Sequence, residues 1–167
     1  MSDLLDRISE LEQQIATLKA EVEKEEKEKD PSKRWRAEES NIYWFVLGCE
    51  CRPDFRNEYN RNIDIFNYDT HNYFQTEDKA QKYASVLETE RQLKKFADEH
   101  NDKIDWSDID LGKYYLAYNY DMHSTSVYVC WLIREPRIIY FSSREIAKQA
   151  IDAIGKDKIR EYLTYEW

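Results

Sequence analysis

Two stretches of this chain are written in the same grammar, and the recurrence restricts its architecture more than any other feature. Asn72-Tyr73-Phe74-Gln75-Thr76-Glu77-Asp78-Lys79-Ala80 returns as Ile139-Tyr140-Phe141-Ser142-Ser143-Arg144-Glu145-Ile146-Ala147. Each copy holds a Tyr-Phe pair, a polar residue, a hydroxyl residue and then helical sequence. The aromatic pair can end a strand, and the Thr or Ser oxygen can accept an unpaired N–H of the first helical turn. Ser142 and Glu145 also have the spacing of a capping box.

Alternating apolar residues predict strands over 43–51 and 63–68 ahead of the first helix, and over 114–120, 126–133 and 137–141 ahead of the second. The first helix, from about Glu77 to His100, places Ala80, Tyr83, Ala84 and Leu87 on one face and continues it with Leu93, Phe96 and Ala97. The second uses Ile146, Ala147, Ala150, Ile151 and Ile154 before Gly155, which suits a left-handed C-cap. The expected body is α+β, made of two repeated β-β-β-α modules with antiparallel sheets.

Ahead of this body, Leu4, Ile8, Leu11, Ile15, Leu18 and Val22 alternate in spacing between four and three, the stripe of a helix wound about a partner at about 3.5 residues per turn. Leu at d and Ile or Val at a favour a parallel two-stranded coiled coil, so self-association as a parallel dimer is expected. Arg7 would face Glu12 of the partner, whereas Glu21 meets Glu26 and Glu25 occupies the next d position, so the seam weakens there. An amphipathic helix folded back on its own body is the alternative. Asp30-Pro31-Ser32 closes the segment. The expected organisation is a coiled-coil helix over 1–30, a linker over 31–41, a first module over 42–100, an acidic connector over 101–113 and a second module over 114–167.

A net charge of −9 argues against binding to extended duplex nucleic acid, which depends on clustered Lys and Arg. No apolar run approaches the roughly 20 residues of a membrane span, and Met1-Ser2-Asp3 does not open a signal peptide, so a cytoplasmic protein without a membrane partner is expected. The three cysteines, Cys49, Cys51 and Cys130, suit free thiols. Thirteen Tyr, five Trp and six Phe against three Gly and three Pro describe a strand-rich body with few flexible loops. Gly48, Gly112 and Gly155 cannot supply a phosphate-binding or dinucleotide-binding turn.

Catalytic and metal-binding patterns are weak. Cys49 and Cys51, on one face of a strand, could join His71, His123 or Cys130 around zinc, but two small core residues have the same spacing. Asp105, Asp108 and Asp110 lack the glycine and terminal Glu of a calcium loop and read as a solvated turn around Trp106. His123 neighbours Asp121 in a turn with no nucleophile beside it. No catalytic residue, metal or cofactor is therefore expected.

Binding patterns are stronger. Tyr114, Leu116, Tyr118 and Tyr120 alternate onto one strand face, with Tyr128 and Cys130 on a neighbouring strand, a surface suited to stacking a base or receiving a side chain. The same pattern also fits half-buried Tyr on a sheet covered on one side. Arg52, Arg56 and Arg61, with Arg34 and Arg36 nearby, could clamp a phosphate or acidic partner, or neutralise Asp54, Glu58 and Asp64.

The run Tyr140-Phe141-Ser142-Ser143-Arg144-Glu145-Ile146-Ala147, followed by Ile154-Gly155, Ile159 and Tyr162-Leu163, resembles a group of uncharacterised accessory proteins from bacteriophages and mobile elements of Gram-positive bacteria. The resemblance spans about residues 41–163. It implies a viral or mobile-element origin and a β-plus-helix body, and it brings no catalytic residues. Small phage accessory proteins often act against host defences, so it also implies a non-enzymatic protein that binds and inhibits a host defence protein in the manner of an anti-CRISPR. Dimerisation would then present paired surfaces. The alternatives are a sponge that sequesters a nucleotide immune signal in aromatic and Arg pockets, a small enzyme using His123 or the acidic connector, and a nucleic-acid-binding accessory protein.

Overall fold

Alternation along Ile42–Leu47 builds the first strand of the body, β1, which turns at Gly48 and returns as β2, Arg52–Asn57. This computed structural model describes residues 34–166 together with Arg7, Leu11, Gln14, Ile15 and Lys19. The chain divides into two compact units, Met1–Arg36 and Ala37–Trp167. In the second unit the hairpin is followed by α1 (Asn62–Asp69), α2 (Glu77–His100), β3 (Lys113–Asn119), β4 (Ser124–Cys130), β5 (Tyr140–Phe141), α3 (Arg144–Ile154) and α4 (Lys156–Thr164). Among the described residues, no helix is long and apolar enough to cross a membrane.

The expected fold class is corrected in two respects. The α+β body has two small antiparallel sheets, but its described elements begin with strands and its long helix is Glu77–His100, not an N-terminal coiled coil. Leu4, Ile8, Leu18 and Val22 lie outside the described residues, while Leu11 and Ile15 are helical and exposed, at 53% and 52%. A narrow a/d stripe needs a second helix to bury it.

The second correction concerns the repeat. Residues 63–68 are not a strand but part of α1. Their outward alternation conceals a buried helical face that is polar: Asp64 and Asn67 are buried, whereas Ile63, Ile65 and Phe66 are exposed. Asp64 sits at the third helical position and its carboxylate accepts the backbone N–H of Arg61, closing the N-terminus of the helix. The strand that does pair with β1 is β2, whose Arg-Pro-Asp-Phe-Arg-Asn sequence lacks apolar alternation because it lies at a sheet edge, where proline costs no ladder hydrogen bond. The body therefore runs β-β-α-α-β-β-β-α-α, not as two copies of β-β-β-α.

The two Tyr-Phe segments nevertheless meet their sheets in similar ways. Phe74 exchanges backbone hydrogen bonds with Trp44 on the free edge of β1 at 2.9 and 2.7 Å, and β5 pairs antiparallel with β3 through Tyr114–Phe141 and Tyr115–Tyr140. Thr76 and Ser143 then cap α2 and α3 by accepting the N–H of Lys79 and Ile146. Ser142, expected to cap, instead accepts the N–H of Asp102.

The long helix is the common wall of both sheets. Ala80 and Ala84 pack with Val46 of β1, and Leu93 and Ala97 join Leu116, Phe141, Ala147, Ala150, Ile151 and Ile159 in the larger core. Val86 and Thr89 are buried too, since α4 covers a further side and Glu161 accepts the Ser85 hydroxyl at 3.1 Å. A stripe for one partner accounts for only part of a helix buried on several sides.

Between β1, α1 and the segment before α2 lies a smaller polar core. Tyr43 and Tyr73 stack at 3.9 Å; Tyr43 donates its hydroxyl to Asp64 at 2.8 Å and accepts from the Asn67 amide at 3.1 Å. Tyr73 donates to Glu58 at 2.6 Å and accepts the Ala37 N–H. Burial pushes the Tyr43 phenol up to about 12, with Asp64 adding to the rise. Burial works against the Asp64 carboxylate, but the Arg61 N–H, the Tyr43 hydroxyl and the Tyr59 N–H together hold it below its ordinary value.

Gly155 links α3 to α4 at φ +104° and ψ 134°, a region nearly restricted to glycine. A Cβ there would meet no atom within 4 Å, so the cost of substitution is one of backbone conformation. Gly155→Ala is expected to destabilise the protein by about 1–3 kcal/mol, read as a lower urea midpoint at unchanged slope.

Candidate functional site

The register of the larger sheet decides which aromatic side chains share a face. Tyr114, Leu116 and Tyr118 stand opposite Val129, Val127 and Thr125, and Tyr114, Leu116 and Val127 pack into the helix-covered core. Tyr115 stands opposite Tyr128, and Lys113 opposite Cys130, on the other face. Tyr128 and Cys130 thus belong with Tyr115, not with the expected Tyr114 and Tyr118. On this second face Tyr115 lies 5.9 Å from Tyr128 and 6.0 Å from Tyr140, and Tyr128 accepts a hydrogen bond from the Asn119 amide at 3.1 Å.

The end of β4 gives this face its exposed rim. Alternation predicts that the strand continues through Ile133, but it stops at Cys130, because β3 begins at Lys113 and, among the described residues, no partner strand pairs beyond that point. Lys113, fully buried, donates its ammonium to the carbonyl oxygens of Asp108 and Trp131 and draws both loops around itself. Trp131, Leu132 and Ile133 are left exposed at 47%, 73% and 68%, side by side on the surface. They border a recess of about 300 Å³ whose other walls include Tyr115, Cys130 and Tyr140.

Tyr140 separates this recess from a second one, of about 360 Å³, lined by Asp98, Asp102, Trp106, Arg134 and Ile138 among others. Asn101 fixes the shared wall: its amide donates to the Tyr140 carbonyl at 2.8 Å and accepts the Ser142 N–H at 2.9 Å, as a strand backbone would. Trp106 meets Tyr140 edge-on at 4.9 Å, with the Lys113 ammonium and the Arg134 guanidinium 5.6 and 5.5 Å from its ring. The Tyr140 hydroxyl accepts the Glu135 N–H at 3.0 Å, and its pKa is raised, first by burial.

Other candidate residues are placed apart from these recesses. Arg52 and Arg56 are on β2 and Arg61 caps α1, all in the smaller sheet region; Arg52 pairs with Glu50, and Arg56 and Arg61 lie over the rings of Phe45 and Tyr59. Tyr118 and Tyr120 pack edge-on at 5.0 Å near the β3–β4 turn, where His123 is exposed at φ +47°. Cys49 and Cys51 belong to the β1–β2 turn, not to a strand; the Cys51 sulfur accepts an N–H from Arg91 at 2.7 Å, and burial raises its thiol pKa against the opposing influence of that guanidinium. Asp105 and Asp108 accept backbone N–H groups of Ser107 and Asp110, as turn residues do. Among the described residues no three His, Cys, Asp or Glu side chains are grouped as metal ligands would be.

Sequence reasoning therefore missed Trp131, Leu132, Ile133, Tyr115 and Arg134 as site residues. The available signal was the pairing of Tyr115 with Tyr128 across the predicted hairpin, which assigns a face once the turn is centred on Asp121 and Met122. The fold and recesses define a small α+β protein with an exposed apolar ridge beside two aromatic-walled depressions. Comparison with protein families, with characterised proteins and with solved structures gives no match to this chain.

Proposed function

We propose that this protein is a non-enzymatic binding protein that grips a host protein through the ridge Trp131, Leu132 and Ile133 and the recess behind it. The exposed ridge carries this reading: three consecutive large apolar side chains on a surface loop mark an interaction site, since each loses apolar contact with water when a partner covers it. The resemblance to phage accessory proteins supplies the setting, antagonism of a bacterial defence system in the anti-CRISPR manner. A recess near 300 Å³ is at the lower end for small-molecule pockets, and receives one large side chain of a partner.

The nucleotide-sponge alternative draws less support. Its Arg52, Arg56 and Arg61 belong to the smaller sheet region, while the stacking Tyr side chains line the larger sheet. The guanidinium beside Trp106, that of Arg134, shares its recess with Asp98 and Asp102, whose charge opposes a phosphate.

The test is a plaque assay in a bacterial host whose defence restricts the infecting phage. Expression of the protein should restore plaques, and the Trp131→Ala, Leu132→Ser, Ile133→Ser variant should lose at least about tenfold of that effect while keeping its circular dichroism spectrum. A folded triple variant with full activity would remove the ridge from the mechanism.

A further inference from the structure

We infer that the partner segment seated on this surface is basic as well as apolar: one large apolar side chain enters the recess behind Trp131, and an adjacent Arg or Lys enters the recess beside Trp106. The inference rests on the binding reading above and names the chemistry of the partner.

Charge complementarity carries it. Asp98 and Asp102 line the second recess, and Glu135 lines the first, each on its surface-exposed side. Among the described residues none of the three carboxylates is in an ion pair, although Glu50, Glu90, Glu99 and Asp157 are. Among the described residues Arg134 is the only base lining either recess, and it lies over Trp106. Lys113 is fully buried, with its ammonium turned onto two backbone carbonyls. The connector adds Asp105, Asp108 and Asp110, all exposed and all within four residues of Trp106 in the chain.

The site is thus an apolar ridge joined to an acidic hollow across one aromatic wall. A guanidinium suits the hollow, since it can donate hydrogen bonds to carboxylates in its plane and lay its face against an aromatic ring. An acidic segment or a phosphate would meet uncompensated carboxylates there. Because Tyr140 borders both recesses, the apolar and basic side chains come from neighbouring positions of one extended segment.

The experiment uses the full chain and fluorescein-labelled Gly-Ser peptides, each carrying one Trp and two Arg at varied spacing, read by fluorescence anisotropy. At least one such peptide should bind about tenfold or more tightly than its counterparts with Asp in place of Arg or Ser in place of Trp. Its affinity should fall with added salt, and fall about tenfold in the Asp98→Asn, Asp102→Asn variant, whose altered side chains are exposed. Failure of every Trp-Arg peptide to bind, equal binding of the Asp counterpart, unchanged affinity after both amidations, or competition by a cyclic dinucleotide would each overturn the inference. Binding of an acidic or neutral apolar peptide that the ridge variant loses would leave the binding reading standing. Full plaque restoration by the ridge variant would instead defeat that reading itself.

Discussion

Phe141→Ala is expected to lower the unfolding free energy by about 3–5 kcal/mol, a large part of the roughly 5–15 kcal/mol that holds a domain folded. Phe141 is fully buried in a two-residue strand and touches a core drawn from α2, β3, α3 and α4. Truncation leaves a cavity among elements that are already pinned: Asn101 clamps the flanking backbone, and Ser143 starts α3 two residues on. The surroundings therefore collapse little, and the cost stays near the upper part of the range. Urea denaturation checks it; a loss below about 1 kcal/mol would mean that the core does not close around this ring.

Asp64→Ala should cost about 3 kcal/mol or more, for a different reason. Asp64 is fully buried and accepts from the Tyr43 hydroxyl, the Tyr59 N–H and the Arg61 N–H, at 2.8, 3.2 and 3.0 Å. Removing the carboxylate leaves these donors without an acceptor in a region where, among the described residues, every buried side-chain polar atom has a partner. Its pH dependence follows in sign. The folded pKa of Asp64 lies below the unfolded value of about 3.9, so its stabilisation is present above that pH and is lost as pH falls through the folded value. Asp64→Asn should flatten the acid limb of the urea midpoint. Tyr43 acts at the other end: its pKa, raised from 10.0 to about 12, makes stability fall as pH climbs through that interval, and Tyr43→Phe should remove this slope. An acid limb unchanged in Asp64→Asn would assign the acid sensitivity to other carboxylates.

These two sites also show where reading the chain succeeds and where it does not. Phe141 was legible as the end of a strand before a capped helix, because the Tyr-Phe pair, the Ser143 cap and the apolar stripe of α3 are local signals that agree with one another. The extent of α2 was legible for the same reason, from Thr76 at its start to His100 at its end. Asp64 was not legible. A helix whose buried side is Asp and Asn presents its apolar residues outward, and only the Tyr43 hydroxyl waiting beneath makes that orientation favourable.

The candidate site divides along the same line. Local pattern settled that 114–120 and the segment after it form a hairpin rich in Tyr, and that Trp106 anchors an acidic connector. It could not settle that Tyr128 faces Tyr115 and not Tyr114, since that depends on the register of the turn. Nor could it end β4 at Cys130: Trp131, Leu132 and Ile133 continue the apolar run in sequence, but the backbone bends there and, among the described residues, no strand pairs with them. Helix caps, apolar periods and turn chemistry act over a few residues and are written in the chain. The ridge, the two recesses and the unpaired carboxylates beside them arise from contacts between distant segments, in which Lys113 bridges two loops and Asn101 holds Tyr140 between two hollows, and only the folded molecule brings those partners together.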